Sequence, residues 1–284
     1  MRQKRIVTVQ DLSCFGKCSL TISLPVISAA GIEACCVPTA VLSTHTGGLG
    51  KCTYRDLTED IMPIARHWQS LGLEFDAVYL GYLGSERLLE SAEAFADMFV
   101  RGDTLLIIDP VMADNGRLYS GFTPGFAEGM ARLCGRADVI LPNLTEAAFL
   151  LGEEYRERYD RSYIEDLLRR LAGLGAKKVV LTGVSFEENK LGAAVYDSAD
   201  GEMQFCFTER VNGYFHGTGD LFASVFSAVY VKHGDAFAAA RAAAEMTCLS
   251  IKKTVEAGGD QRFGVYFEPC LPHLARLMET QRDI

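Results

Sequence analysis

Short β-branched runs alternate with longer stretches of helical period along nearly the whole chain. Apolar runs at 6–10, 34–42, 77–80, 104–109, 138–141 and 178–182 read as strands. Segments 17–30, 54–71, 85–100, 122–134, 163–174, 217–233 and 236–254 read as helices, with a further helix after Pro142 and Asn143. Strand–helix repetition of this kind builds parallel βαβ units with right-handed crossovers. The run Thr-Leu-Leu-Ile-Ile-Asp at 104–109 shows no polar alternation, as expected of a parallel strand covered on both faces. Pro38 places its strand near a sheet edge. Residues 191–196 and 203–207 do alternate and read as an antiparallel pair. No linker, low-complexity stretch or internal repeat interrupts the pattern. The expected fold is a three-layer α/β/α domain with a mostly parallel central sheet, spanning 1–284 as a single unit.

The 284 residues carry 28 Lys and Arg against 37 Asp and Glu, a formal net charge of −9. Nucleic acid and anionic membrane are therefore not expected as partners, since both need a basic field. A phosphate ligand is still allowed, because helix N-terminal amides and a bound Mg²⁺ hold anions inside acidic proteins. The nine cysteines are odd in number, irregularly spaced and without Cys-x-x-Cys. That argues against a disulfide framework or a zinc site and for reduced thiols packed as small apolar residues. Residues 1–10 lack the apolar core of a signal peptide, and no apolar run reaches the ~18 residues of a membrane helix. A cytoplasmic location is expected.

In sheets of this type ligands bind beyond the carboxyl ends of the strands. Those ends carry Gln10-Asp11-Leu12-Ser13, Ser43-Thr44-His45-Thr46-Gly47-Gly48, Gly81-Tyr82-Leu83-Gly84, Asp109 to Asp114, Pro142-Asn143-Leu144-Thr145-Glu146 and Thr182-Gly183. Acids, amides and hydroxyls gathered at one rim suit a hard cation and phosphate oxygens. Each also reads as a turn or cap residue. Asn143-x-x-Glu146 has capping-box spacing, and both readings stand. The most informative segment is Gly217-Thr218-Gly219-Asp220, a glycine turn leading straight into an apolar helix. Glycines admit a ligand close to the backbone, and successive N–H groups at a helix start form an anion cradle. Asp220 falls in the first helical turn, where it would also complement the helix dipole. That lesser role requires neither glycine. Gly50-Lys51 imitates a phosphate-binding loop, but His45 and Cys52 stand where such a loop needs Gly and Ser or Thr. No G-x-G-x-x-G follows the first strand, so a dinucleotide fingerprint is absent.

Taken together these segments resemble the ribokinase superfamily, and within it the pyridoxal/pyridoxamine kinases of vitamin B6 salvage. Gly217-Thr218-Gly219-Asp220 is similar to that family's anion-hole and base motif. Asp109-Pro110-Val111-Met112-x-Asp114, Pro142-Asn143-x-x-Glu146, Ser43-x-His45-Thr46-Gly47 and Gly81-Tyr82 are similar to four more family segments, in the family's order, over about residues 5–255. One departure stands at Asp11, where the family usually has Ser, with Ser13 two places on. The related hydroxymethylpyrimidine phosphate kinases carry Cys at the place of Asp220, so Asp220 points to the B6 branch.

The resemblance implies a ribokinase-like fold and transfer of the ATP γ-phosphoryl to the 5′-hydroxymethyl of pyridoxal, pyridoxamine or pyridoxine. It implies Asp220 as base, with the amides of Gly217, Thr218 and Gly219 as the anion hole. Asp109, Asp114, Asn143, Glu146, Thr182 and Thr218 are implied on the ATP side, with Asp109 and Glu146 arranging Mg²⁺, in part through water. Asp11, Ser13, Thr46, Tyr82 and Asp220 are implied on the substrate side, and Tyr119 in a covering loop. A monovalent cation and a homodimer belong to the same expectation. Two alternatives stay open: a kinase for another hydroxymethyl compound such as a pyrimidine, and a non-catalytic B6-vitamer-binding protein. His45 reads as structural or functional, His216 as a loop residue near the nucleotide, and the first helix (Leu20, Ile22, Leu24, Ile27) as core or dimer face.

Overall fold

The structure, a computed structural model, describes residues 2–280. The elements in chain order are β1 (Arg5–Ser13), α1 (Leu20–Ala29), β2 (Glu33–Leu42), β3 (Tyr54–Asp56), α2 (Thr58–Ser70), β4 (Ala77–Leu80) and α3 (Glu86–Phe99). There follow β5 (Leu105–Ile108), β6 (Ala113–Asp114), β7 (Arg117–Leu118), α4 (Pro124–Cys134), β8 (Val139–Ile140), α5 (Leu144–Leu150) and α6 (Arg161–Ala172). The chain closes with β9 (Lys178–Val184), β10 (Lys190–Asp197), β11 (Met203–Glu209), α7 (Thr218–His233), α8 (Ala236–Ala257) and α9 (Leu271–Thr280). One nine-stranded sheet has the order β11-β10-β9-β8-β5-β4-β1-β2-β3. Its six inner strands are parallel, while β10, β11 and the short β3 add antiparallel at the two edges. β6 and β7 form a separate hairpin.

Strand side chains alternate between two faces, and here the alternation divides two cores. Ile6, Tyr79, Ile107, Val139 and Val180 join the core formed with α1, α7, α8 and α9. Val7, Val78, Leu80, Ile108, Ile140 and Leu181 join the one formed with α2, α3, α4, α5 and α6. The α/β/α layering and the mostly parallel sheet follow the expectation. α7 is buried from Asp220 to Val231, as its apolar sequence demands, with α8 and α1 packed on it.

The differences from expectation are local. Residues 54–56 pair with β2 and are not the first turn of a helix; the Asp56 carboxylate then accepts the Thr58 N–H at 2.7 Å and starts α2. β2 is not the outermost strand, but β3 covers only residues 40–42 of it, so Pro38 lies where the outer side has no partner strand. α1 begins at Leu20, three residues later than expected, because Ser19 departs from helical geometry. The β6–β7 hairpin and α9 were not expected at all. Leu20, Ile22 and Ile27 are buried and Leu24 is half-buried, so the first helix is core. All nine cysteines are unpaired. Among the described residues no helix is long and apolar enough to cross a membrane.

Candidate active site

The start of α7 faces the carboxyl ends of the parallel strands. Gly217 is the N-cap of α7 with φ 78°, a left-handed conformation that glycine adopts without strain. A Cβ there would also lie 2.5 Å from the Lys17 carbonyl and 2.6 Å from Ile22 Cδ1. Gly219 is the opposite case: it is exposed, and a Cβ would meet nothing within 4 Å. The turn is thus locked on one side and open on the other. Thr218 turns its hydroxyl back to the Phe215 carbonyl at 3.2 Å, which leaves the main chain of the turn to face outward.

Asp220 is 9% exposed, and its Oδ2 accepts the Cys18 thiol at 3.2 Å. Burial pushes its pKa up; the Ser19 amide and the Cys18 thiol oppose this, and Asp11 adds to it. Asp11 is also buried, taking Ser19 Oγ at 2.6 Å on Oδ1 and Ser13 Oγ at 2.9 Å on Oδ2. Burial raises Asp11 against those two donors. Half-buried Tyr82 packs edge-on against Phe122 with ring centroids 5.7 Å apart. Burial, then the nearby Asp11, pushes its phenol up to about 12. Asp11, Ser13, Tyr82 and Asp220 therefore share one corner of the rim. Thr46 is exposed.

The second corner is wired by main-chain groups. Asn143 and Glu146 form the capping box at the start of α5. Asn143 Oδ1 accepts the Thr145 and Glu146 amides at 2.8 and 2.9 Å. Glu146 accepts the Asn143 amide at 2.9 Å and the Met112 amide at 3.2 Å, while Asn143 Nδ2 donates to the Ala113 carbonyl at 2.9 Å. The box thus grips the segment after β5, and Thr145 Oγ1 adds a bond from the Gly116 amide at 3.0 Å. Burial raises Glu146 strongly, more than these amides lower it. Asp109 is raised well above the ordinary carboxylate range by burial, then by Glu146 and Asp220. Among the described residues it has no side-chain hydrogen bond or ion pair, and the charges acting on it are all acidic. Thr182 donates to the Pro142 carbonyl at 3.3 Å. Asp114 accepts from Asn115 within its own hairpin and from the Tyr214 hydroxyl at 3.5 Å.

The two histidines lie beside the glycine turn. His45 Nδ1 accepts the Gly47 amide at 3.0 Å, so the ring proton sits on Nε2 and is donated to the Arg262 carbonyl at 2.6 Å. The His45 ring packs on His216 with centroids 4.6 Å apart. Both nitrogens of His45 are thus spent on the backbone, the structural reading. Tyr119 is exposed, with its amide bonded to the Met112 carbonyl. Cys18 and Ser19 were missed by reasoning from sequence; a Ser before an apolar helix signals only a cap.

Two concavities lie elsewhere. One of about 340 Å³ is lined by Lys178, Asp197 and Asp235, the other of about 490 Å³ by Arg2, Phe75 and Thr104. Both sit where β9, β4 and β5 begin, opposite the carboxyl ends at which sheets of this kind bind ligands.

The family model for phosphomethylpyrimidine kinase matches residues 22–264. The chain belongs to this kinase family. Solved structures are very like it. Pyridoxal kinase from Lactobacillus plantarum is 32% identical, with 98% of this chain and 99% of that one covered and a TM-score of 0.90. A Bacteroides thetaiotaomicron protein solved with pyridoxal, provisionally assigned as a phosphomethylpyrimidine kinase, is 34% identical with 96% of each chain covered and a TM-score of 0.91. Among curated proteins, the pyridoxine/pyridoxal/pyridoxamine kinase of Bordetella avium is 28% identical over 249 residues, 78% of this chain and 76% of that one. The kinase fold and the resemblance to B6 kinases are therefore established for this chain.

Proposed function

We propose that this kinase transfers the γ-phosphoryl group of ATP to the 5′-hydroxymethyl group of a B6 vitamer. The observation that carries the reading is a buried Asp220 directly beside an open glycine turn at a helix N-terminus. In the reaction the acceptor oxygen attacks the γ-phosphorus, the bond to the β–γ bridging oxygen breaks, and ADP leaves. The acceptor proton passes to the Asp220 carboxylate. Phosphoryl transfer is loose at its transition state, so proton removal comes late and a carboxylate suffices as base. Burial makes Asp220 a stronger base than an exposed aspartate. The amides of Gly217, Thr218 and Gly219, at the positive end of α7, stabilise charge on the transferring group. Tyr82 and Asp11 face the ring of the acceptor; Ser13 and Thr46 lie on that side. Asp114, Asn143, Thr182 and Thr218 belong to the nucleotide side.

The donor set fits Mg²⁺. Asp109 is a buried carboxylate that has, among the described residues, no side-chain partner and only acidic neighbours, the kind of hard oxygen ligand Mg²⁺ takes. Glu146 already accepts two amides, so its share is charge and a water-mediated contact. When bound with ATP, Mg²⁺ neutralises phosphate charge. A monovalent cation as activator, a homodimer, a cytoplasmic location and one catalytic domain over 1–284 complete the reading.

The family model's description, phosphomethylpyrimidine kinase, favours a second reading, a kinase for a pyrimidine acceptor such as hydroxymethylpyrimidine. ADP release with MgATP, measured across pyridoxal, pyridoxamine, pyridoxine and hydroxymethylpyrimidine, separates the two. The proposal expects turnover with at least one B6 vitamer and is overturned by turnover on the pyrimidine alone. Asp220→Ala is expected to lower kcat roughly 100- to 10,000-fold while ATP still binds. An unchanged kcat would remove Asp220 from its role.

A further inference from the structure

Ser19 has φ 49° and ψ −126°, and the other described non-glycine residue with positive φ is Asn115 in the β6–β7 turn. A serine in this region is strained, and such strain persists only where surrounding contacts over-determine it. Ser19 is 1% exposed and holds the N-cap position of α1, yet its hydroxyl caps nothing. The hydroxyl donates to Asp11 Oδ1 at 2.6 Å. The preceding residue, Cys18, donates its thiol to Asp220 Oδ2 at 3.2 Å. Thr21 fixes the Cys18 main chain from both sides, accepting its amide at 3.1 Å and donating to its carbonyl at 2.7 Å. Two consecutive side chains at one helix start thus serve two buried carboxylates that repel each other.

We propose that Cys18 and Ser19 are positioning residues for phosphoryl transfer: the thiol fixes the Asp220 carboxylate against the acceptor hydroxyl, and the serine hydroxyl holds Asp11 in its separate orientation. The strained backbone is what points the two side chains at different acids. An unstrained Ser19 would turn its hydroxyl to the first amides of α1, the ordinary N-cap role, and leave Asp11 short of a donor. The Cys18 thiol suits its place because burial and the two acids keep it protonated, so it remains a donor. This inference rests on the kinase reading of the same site.

The test compares kcat, KM for the vitamer and KM for ATP in the wild type, Cys18→Ala, Cys18→Ser, Ser19→Ala and Ser19→Gly, with thermal melting of each. Cys18→Ala is expected to lose roughly tenfold in kcat, the effect of one hydrogen bond to a charged group, with KM for ATP little changed. Cys18→Ser keeps a donor and is expected to recover most of the turnover. Ser19→Gly takes the same φ without strain, so its melting temperature should not fall while vitamer turnover drops roughly tenfold. Ser19→Ala loses the same hydroxyl and keeps the strain. Wild-type kcat in Cys18→Ala, or full activity in Ser19→Gly, overturns the proposal. Should Cys18→Ala fail to fold, Ser19→Gly decides alone. A wild type inactive on every vitamer and on hydroxymethylpyrimidine overturns the kinase reading and the inference with it, a result distinct from active wild type with indifferent variants.

Discussion

The corner that holds Asp109, Asn143 and Glu146 and the corner that holds Asp11, Ser19 and Asp220 occupy one rim, but they are made rigid by different means. On the first, one short stretch of chain does most of the work: Asn143 caps α5, Glu146 returns the cap, and both reach across to the main chain at Met112 and Ala113. On the second, side chain meets side chain: Cys18 meets Asp220 from the far end of the chain, Ser19 meets Asp11 from the neighbouring strand end, and Ser19 is held in a strained conformation between them. Main-chain hydrogen bonds suit a site whose ligand does not vary, as a nucleotide with its cation would not under the proposed function. Side-chain contacts between distant elements can be changed one residue at a time, which suits the half of a site that selects among acceptors.

The largest effect that would break this contrast is expected at Asp109. On the proposed assignment of Asp109 to the nucleotide side, Asp109→Asn should lower turnover roughly 100-fold or more, by removing a preorganised charge. The same substitution should stabilise the ligand-free protein. The folded-state pKa of Asp109 lies well above its ordinary value, chiefly through burial. Below about pH 4, the ordinary carboxylate range, folded and unfolded chains both hold the proton and the substitution gains nothing. As the pH rises above that, the unfolded chain ionises first, so the wild type loses stability that the amide retains. In EDTA, the melting-temperature gain of Asp109→Asn over wild type should be larger at pH 8 than at pH 5. A gain that shrinks as the pH rises would mean Asp109 is already paired.

The contrast also explains what was legible in the sequence. The capping box was readable from Asn143-x-x-Glu146 because its partners lie three residues apart. The glycine turn was readable for the same reason, since Gly217 and Gly219 advertise a backbone conformation. The sheet was readable from apolar runs buried on both faces. What stayed hidden has no local signature. The strands of the β6–β7 hairpin are two residues each, too short for any period. Tyr54–Asp56 becomes a strand only because residues 40–42 of β2 offer an edge. Ser19 looks like an ordinary cap, but its φ is 49° and its hydroxyl goes to Asp11 and not to the start of α1, which no local pattern announces. Asn143→Ala sharpens the point. It should cost about 1 kcal/mol from the lost cap, near 2–4 °C in melting temperature for a chain of this size. KM for ATP should rise while KM for the vitamer stays put. A rise in both would mean the two corners are mechanically one.

The smallest effect, and the most discriminating, is expected at Asp11. Its carboxylate has two hydroxyl donors and, among the described residues, no hydrogen bond or ion pair from a cationic side chain. Burial raises its pKa, so the site bears the cost of a buried acid that a serine in the same place would avoid. That cost is offset only if the acid meets positive charge or a strong donor on the acceptor, such as a ring N–H⁺ or the ammonium of pyridoxamine. Asp11→Asn keeps the size and one acceptor oxygen but removes the charge. It should lower kcat/KM for pyridoxamine several-fold more than for pyridoxal, a difference of about 1 kcal/mol. Competition between the two vitamers in one reaction measures that ratio directly. Equal losses on both would assign Asp11 to the ring, which they share; no loss on either would leave it a structural partner of Ser13 and Ser19, and the substrate side would then rest on Tyr82 and Asp220.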